Sequence, residues 1–143
     1  MSNSNVMTKF ISLSTKGEND IVDITDNVKK ILKETEFKTG IITLFVGGST
    51  AAITTIEFEP GLSEDFPKML ERIAPRNIEY KHDKTWHDGN GHAHVRASLI
   101  GPSLTIPFIN GEVYLGIWQQ IVFVEMDTRR RERKVVVQIL GNS

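Results

Sequence analysis

The chain has no cysteine. Disulfides, thiolate nucleophiles and thiolate metal sites are therefore excluded, and nitrogen and oxygen remain as the strong metal ligands. Excess positive charge is missing too: 17 Lys and Arg against 18 Asp and Glu leave a net charge of −1. No global basic field draws the chain to nucleic acid, so nucleic acid is not an expected partner. No apolar run approaches the ~20 residues that a membrane span needs. The opening Met1-Ser-Asn-Ser-Asn-Val6 lacks the basic and then apolar pattern of a secretion signal. The expectation is a cytoplasmic protein with no membrane partner.

What is present is the balance of one soluble globular domain, with 39% hydrophobic and 24% charged residues. Residues 1–7 are small and polar and read as a disordered tail, leaving 8–143 as the single domain. Residues 9–14 alternate apolar and polar, and 21–24 return, which predicts a hairpin. Thr25 is placed to cap a helix carrying Val28, Ile31 and Leu32 on one face. Strands are predicted at 40–46 and 51–58, interrupted by Gly47-Gly48-Ser49-Thr50. Leu62, Phe66, Met69, Leu70 and Ile73 mark a second helix, with Ser63 as its cap. Further strands are predicted at 94–100, 104–108, 113–118, 120–125 and 134–140, with Asn110-Gly111 as a tight hairpin turn. The sum is an α+β domain of mostly antiparallel sheet with roughly eight strands and two helices.

All four histidines fall between His82 and His94. The segment Tyr80-Lys-His82-Asp-Lys-Thr-Trp-His87-Asp88-Gly-Asn90-Gly-His92-Ala-His94 reads as a long polar loop running into a strand. If the end is extended, His92 and His94 share a face and can put two imidazoles on one metal, with His82 as a third ligand. Three protein ligands and an open position is a catalytic layout, and Asp88 or Glu57 could supply an oxygen instead. Nitrogen ligands favour zinc, with magnesium the other divalent candidate. The bland alternative is a solvated loop whose histidines do nothing.

Other motifs are weaker. Gly47-Gly48-Ser49-Thr50 offers backbone N–H groups and two hydroxyls to a phosphate, or is simply a bulge. Glu57 and Glu59 flank Phe58 on one face, as a base candidate or as rim charges. Glu125 and Asp127 have the same spacing and the same ambiguity. The run from Arg129 to Lys134 matches phosphate chemistry, or is a solvated turn. Gln119 sits among apolar residues and needs hydrogen bonds, from a ligand or from a neighbouring loop.

Taken in order, these pieces resemble the YjbQ-like family, also labelled the secondary thiamine-phosphate synthase family. The resemblance is carried by Ser49-Thr50-Ala51, Glu57, Asp65, Tyr80-x-His82, Ala93-His94, Leu99-Ile-Gly101-Pro-Ser103, Ile106-Pro107, Gly116-x-Trp118-Gln119, Glu125-x-Asp127 and the arginines before the last strand. It implies a β sandwich with helices, assembled as a homotrimer with sites near subunit boundaries. It implies a pocket around His82 and His94, with the Ser/Thr turn and Glu57 nearby, where metals or anions sit. It also implies weak thiamine-phosphate synthase activity, which joins a pyrimidine-methyl diphosphate to a thiazole phosphate with loss of pyrophosphate. One departure stands out: many members carry His where this chain has Gly48, and His92 is the candidate replacement.

The expected function is thus a transferase-like enzyme that binds a divalent metal and a small phosphorylated metabolite. Glu57, His82 and His94 are the catalytic candidates. Ser49, Thr50, Asn90 and Gln119 are the phosphate-binding candidates, and His82, His92 and His94 the metal ligands. The alternatives are a non-catalytic trimer that binds a phosphometabolite or metal, and a metal-dependent hydrolase of a small phosphate ester.

Overall fold

The structure is a computed structural model and describes residues 5–143. Residues 1–4 of the expected disordered tail lie outside the described residues, and its last two already belong to strand β1, Val6–Ser14. Then follow β2 (Ile21–Asp23), α1 (Thr25–Thr35), β3 (Thr39–Val46), β4 (Ala51–Ile56) and α2 (Pro60–Ile73). The second half runs α3 (Lys81–Trp86), α4 (Gly91–Ile100), β5 (Ser103–Ile109), β6 (Glu112–Val113), β7 (Gln120–Glu125) and β8 (Glu132–Asn142). No helix among the described residues is long and apolar enough to cross a membrane.

The strands form two antiparallel sheets, ordered β1-β8-β3-β5-β6 and β2-β7-β4. The predicted hairpin of the first two strands does not form. β1 pairs with β8 and β2 with β7, in different sheets. The turn between them is held by the far end of the chain instead: Thr15 N–H donates to the Arg131 carbonyl and Asn19 N–H to that of Glu125.

Alternation explains the layering. Ile42, Leu44, Val135, Val137 and Ile139 of the larger sheet meet Ile53, Ile121 and Phe123 of the smaller one, with Val28 and Leu32 of α1 closing the edge. The opposite face of the smaller sheet, Ala52, Val122 and Val124, packs on Leu70 of α2 and on Ala93 and Ala97 of α4. β7 is therefore buried on both faces, which is why its sequence is continuously apolar. The Asn110-Gly111 turn forms as predicted, with φ of 54° and 75°. The strand expected at 113–118 stops at Val113, and a turn follows.

The largest correction falls on the histidine segment. Residues 91–100 are not a strand but helix α4, and α3 occupies part of the expected loop. The buried positions of α4 are 91, 92, 93, 96 and 97, a helical period. Two of them are His92 and Arg96, and polar residues on the core face disguise the amphipathic pattern. Gly91 begins this helix against Tyr80, where a Cβ would lie 2.5 Å from the Tyr80 Cβ.

Candidate functional site

At one end of the β4–β7 pair lies a cleft of about 580 Å³. Its walls are the turn Gly48–Thr50, the loop residues Asp88 and Asn90, His94 of α4, and the segment from Asp127 to Arg131. These segments meet here because α4 packs against β4 and α3 packs against α4. Asp83 Oδ1 accepts the Gly91 N–H at 2.8 Å and so ties α3 to the start of α4.

His82 and His94 come together as the motif reading expects, with ring centroids 4.2 Å apart. His82 Nε2 lies 3.4 Å from Asp88 Oδ1 and 3.1 Å from the Asn90 side-chain amide. With its oxygen and nitrogen exchanged, that amide donates to Asp88 as well, at 3.0 and 3.2 Å. Burial pushes the His94 pKa down, and the neighbouring His82 adds to this, against the pull of Asp88, Asp127 and Asp83. Its neutral, lone-pair-bearing form is therefore favoured.

His92 does not join them. On a helix it points away from His94, and it is buried against Glu18, to which its Nε2 hydrogen-bonds. Arg96 lies beside it, donating from Nε to the Ala74 carbonyl and bridging to Glu71. This is a packed charge cluster that pins α4 to the 15–20 turn. The metal set of His82, His92 and His94 is thus corrected: among the described residues, the donor atoms that cluster within 4.8 Å belong to His82, Asp83 and Asp88. One imidazole and two carboxylates fit a divalent cation, and the mixed set suits zinc better than magnesium, which prefers oxygen alone. His87 closes α3 in a left-handed conformation and is exposed.

The arginine run resolves by its alternation. Arg129 and Arg131 line the cleft. Arg133 is buried and forks onto Glu125, which is itself fully buried and also accepts from Thr15 Oγ1 at 2.6 Å. Arg133 also donates to Thr50 Oγ1 at 2.9 Å, and that hydroxyl donates on to Asp127 at 3.2 Å. Thr50 is therefore a buried strut under the cleft floor, whereas Ser49 is exposed on its rim. A Cβ on Gly48 would lie 2.9 Å from Arg133 Nη1. The guanidinium thus occupies the space beside Gly48. Burial alone would raise the Asp127 pKa. The Thr128 N–H, Arg131 and Thr50 hold Asp127 below the usual carboxylate range against that effect.

Glu57 and Gln119 lie elsewhere. Both are exposed at the opposite end of the β4–β7 pair, roughly 20 Å from Thr50 at ~3.3 Å per strand residue. Gln119 braces the 116–119 turn, accepting from Gly116 N–H and donating to Thr55 Oγ1, both at 3.0 Å. Glu59 caps α2 through the Gly61 and Leu62 N–H groups, the role the sequence gives to Ser63. Within one chain neither Glu57 nor Gln119 reaches the cleft. Asp127, Arg129 and Arg131 are the residues that motif reading left unassigned; the only signal for Asp127 is its spacing from Glu125.

Residues 9–142 match the family described as UPF0047 protein YjbQ-like. A UPF0047 protein of Methanothermobacter thermautotrophicus is 38% identical over 136 residues, covering 95% of this chain and 93% of its own. The Bacillus subtilis UPF0047 protein YugU is 30% identical over 137 residues, covering 94% and 100%. Among solved structures, a YbjQ-like protein of unknown function from Sulfolobus solfataricus superposes with a TM-score of 0.86 at 35% identity, covering 96% of this chain and 99% of its own.

Proposed function

Since the chain belongs to the UPF0047 family of YjbQ-like proteins, we propose that its cleft binds a divalent cation and a small phosphorylated metabolite together, and that it acts as a transferase of the thiamine-phosphate synthase kind. One observation carries this reading. Candidate cation and anion ligands meet at a single cleft: Asp88, whose carboxylate clusters with His82 and Asp83, lines it together with His94, Ser49, Arg129 and Arg131. Carboxylates would repel a lone phosphate, and arginines would repel a lone metal. A metal–phosphate pair satisfies both. In a transfer that releases pyrophosphate, the cation and the two guanidinium groups would take up the charge that develops on the leaving group. Asp83 Oδ1 already accepts from the Gly91 N–H, so His82 and Asp88 would be the principal cation ligands, with Asp83 as the third donor of the cluster.

The same reading assigns Glu57 and Gln119 to a neighbouring copy in a cytoplasmic homotrimer. Ile117 and Trp118 are 84% and 70% exposed on the turn that Gln119 braces. A rigid apolar knob at one end of the β4–β7 pair and a cleft at the other end suit a head-to-tail ring.

The test is a zinc-binding titration of the wild type and His82→Ala, with pyrophosphate release from a pyrimidine-methyl diphosphate and a thiazole phosphate measured alongside. Loss of both binding and release in the variant is expected. A variant that keeps both would refute the reading.

A further inference from the structure

A second recess of about 180 Å³ opens next to the cleft. It shares Gly48, Ser49 and His94 with the cleft and is otherwise walled by Ala51, Ala97, Ser98 and Pro102. The character of these walls differs from that of the cleft. Ala51 and Ala97 are buried apolar side chains that stop at Cβ. The Ser98 hydroxyl is turned back onto the His94 carbonyl, at 2.8 Å. The nearby backbone is also engaged: the Pro102 carbonyl accepts from Val46 N–H, the Gly101 carbonyl from Ile53 N–H, and Gly101 N–H donates to Ala97. With those groups already bonded, the recess offers its occupant contact and removal from water far more than hydrogen bonds.

Resting on the phosphate reading above, we propose that the ligand is a phosphate ester of a compact apolar group, whose phosphate lies among Ser49, Arg129 and Arg131 and whose organic part passes His94 into this recess. Size sets the class. A cavity of ~150 Å³ holds one benzene-sized molecule, so this recess takes a single five- or six-membered ring or a branched alkyl group. A purine nucleoside is too large and too polar for it. His94 forms the shared wall, so the ester bond itself would lie beside its imidazole.

The test is a calorimetric titration of the zinc-loaded full-length protein with inorganic phosphate, methyl phosphate, phenyl phosphate and adenosine monophosphate. Phenyl phosphate should bind about tenfold or more tightly than inorganic phosphate, because burying a ring in the recess removes its apolar surface from water. Adenosine monophosphate should show no such gain. Ser98→Leu, at an exposed helical position, fills the recess and should bring the ratio of phenyl phosphate to inorganic phosphate affinity close to one. Its melting temperature and its inorganic phosphate affinity report that it is folded. If inorganic phosphate binds and phenyl phosphate gains nothing, or if Ser98→Leu leaves the gain intact, the recess proposal is overturned while the phosphate reading stands. If inorganic phosphate and its esters all fail to bind the wild type, the phosphate reading itself falls.

Discussion

His94 is the residue on which the cleft turns, since it lies against His82 and lines both the cleft and the recess. Its lowered pKa has a direct consequence. The unfolded chain takes up a proton on this histidine near pH 6.5, before the folded protein does. This group therefore contributes a loss of stability as pH falls through that value, and none above it. In an NMR titration the His94 ring should show a midpoint below that of an ordinary histidine. His82→Asn should move it up, because one of the two depressing causes is removed while burial remains. A midpoint unchanged by the substitution would mean that the rings do not interact as their 4.2 Å separation implies. At this scale the sequence indicates which side chains meet better than how they are arranged. His82 and His94 are brought together as the motifs suggest, but His92, two residues away, faces the core. Spacing of two means one face on a strand and nearly opposite faces on a helix, so a helix in place of a strand separates the two imidazoles.

That element is α4. Its β-like apolar content and its buried His92 and Arg96 hide a helix that only the burial period 92, 93, 96, 97 reveals. By contrast β7 and the Asn110-Gly111 hairpin were legible, since continuous apolarity and a positive-φ turn pair are local signals. The pairing partners of β1 and β2 were not. They depend on contacts with residues more than a hundred positions away, among them the Thr15 bonds to Glu125 and Arg131. The start of α4 supplies a test of its placement. Gly91→Ala puts a methyl group into Tyr80, which should cost about 1–3 kcal/mol by overpacking. Urea denaturation would measure this, and Ala at the exposed Gly89 region is no substitute because Gly89 has φ of +67°. A neutral Gly91→Ala would contradict the close approach of α3 and α4.

The whole molecule is a three-layer arrangement in which the larger sheet, the smaller sheet and a helical layer of α2 and α4 stack in turn. The cleft lies where the smaller sheet ends and α4 begins. The turn carrying Ile117 and Trp118 lies at the other end. In the assembly proposed above, that turn meets the cleft of the next copy, and Trp118→Glu should convert a trimer to monomers on size-exclusion chromatography with light scattering. It should also lower activity without changing the melting of the isolated chain by more than a surface substitution does, about 0.5 kcal/mol. A wild type that runs as a monomer would remove the neighbour from the site, and Glu57 and Gln119 with it.

If one cleft holds cation and phosphate together, zinc-loaded protein should bind pyrophosphate in a calorimeter. Arg129→Gln with Arg131→Gln removes two charge-assisted contacts and should weaken binding by about a hundredfold. Zinc removal from the wild type should weaken it as well. Pyrophosphate affinity that is the same in the wild type, the double variant and the metal-free protein would mean that cation and phosphate do not share the cleft.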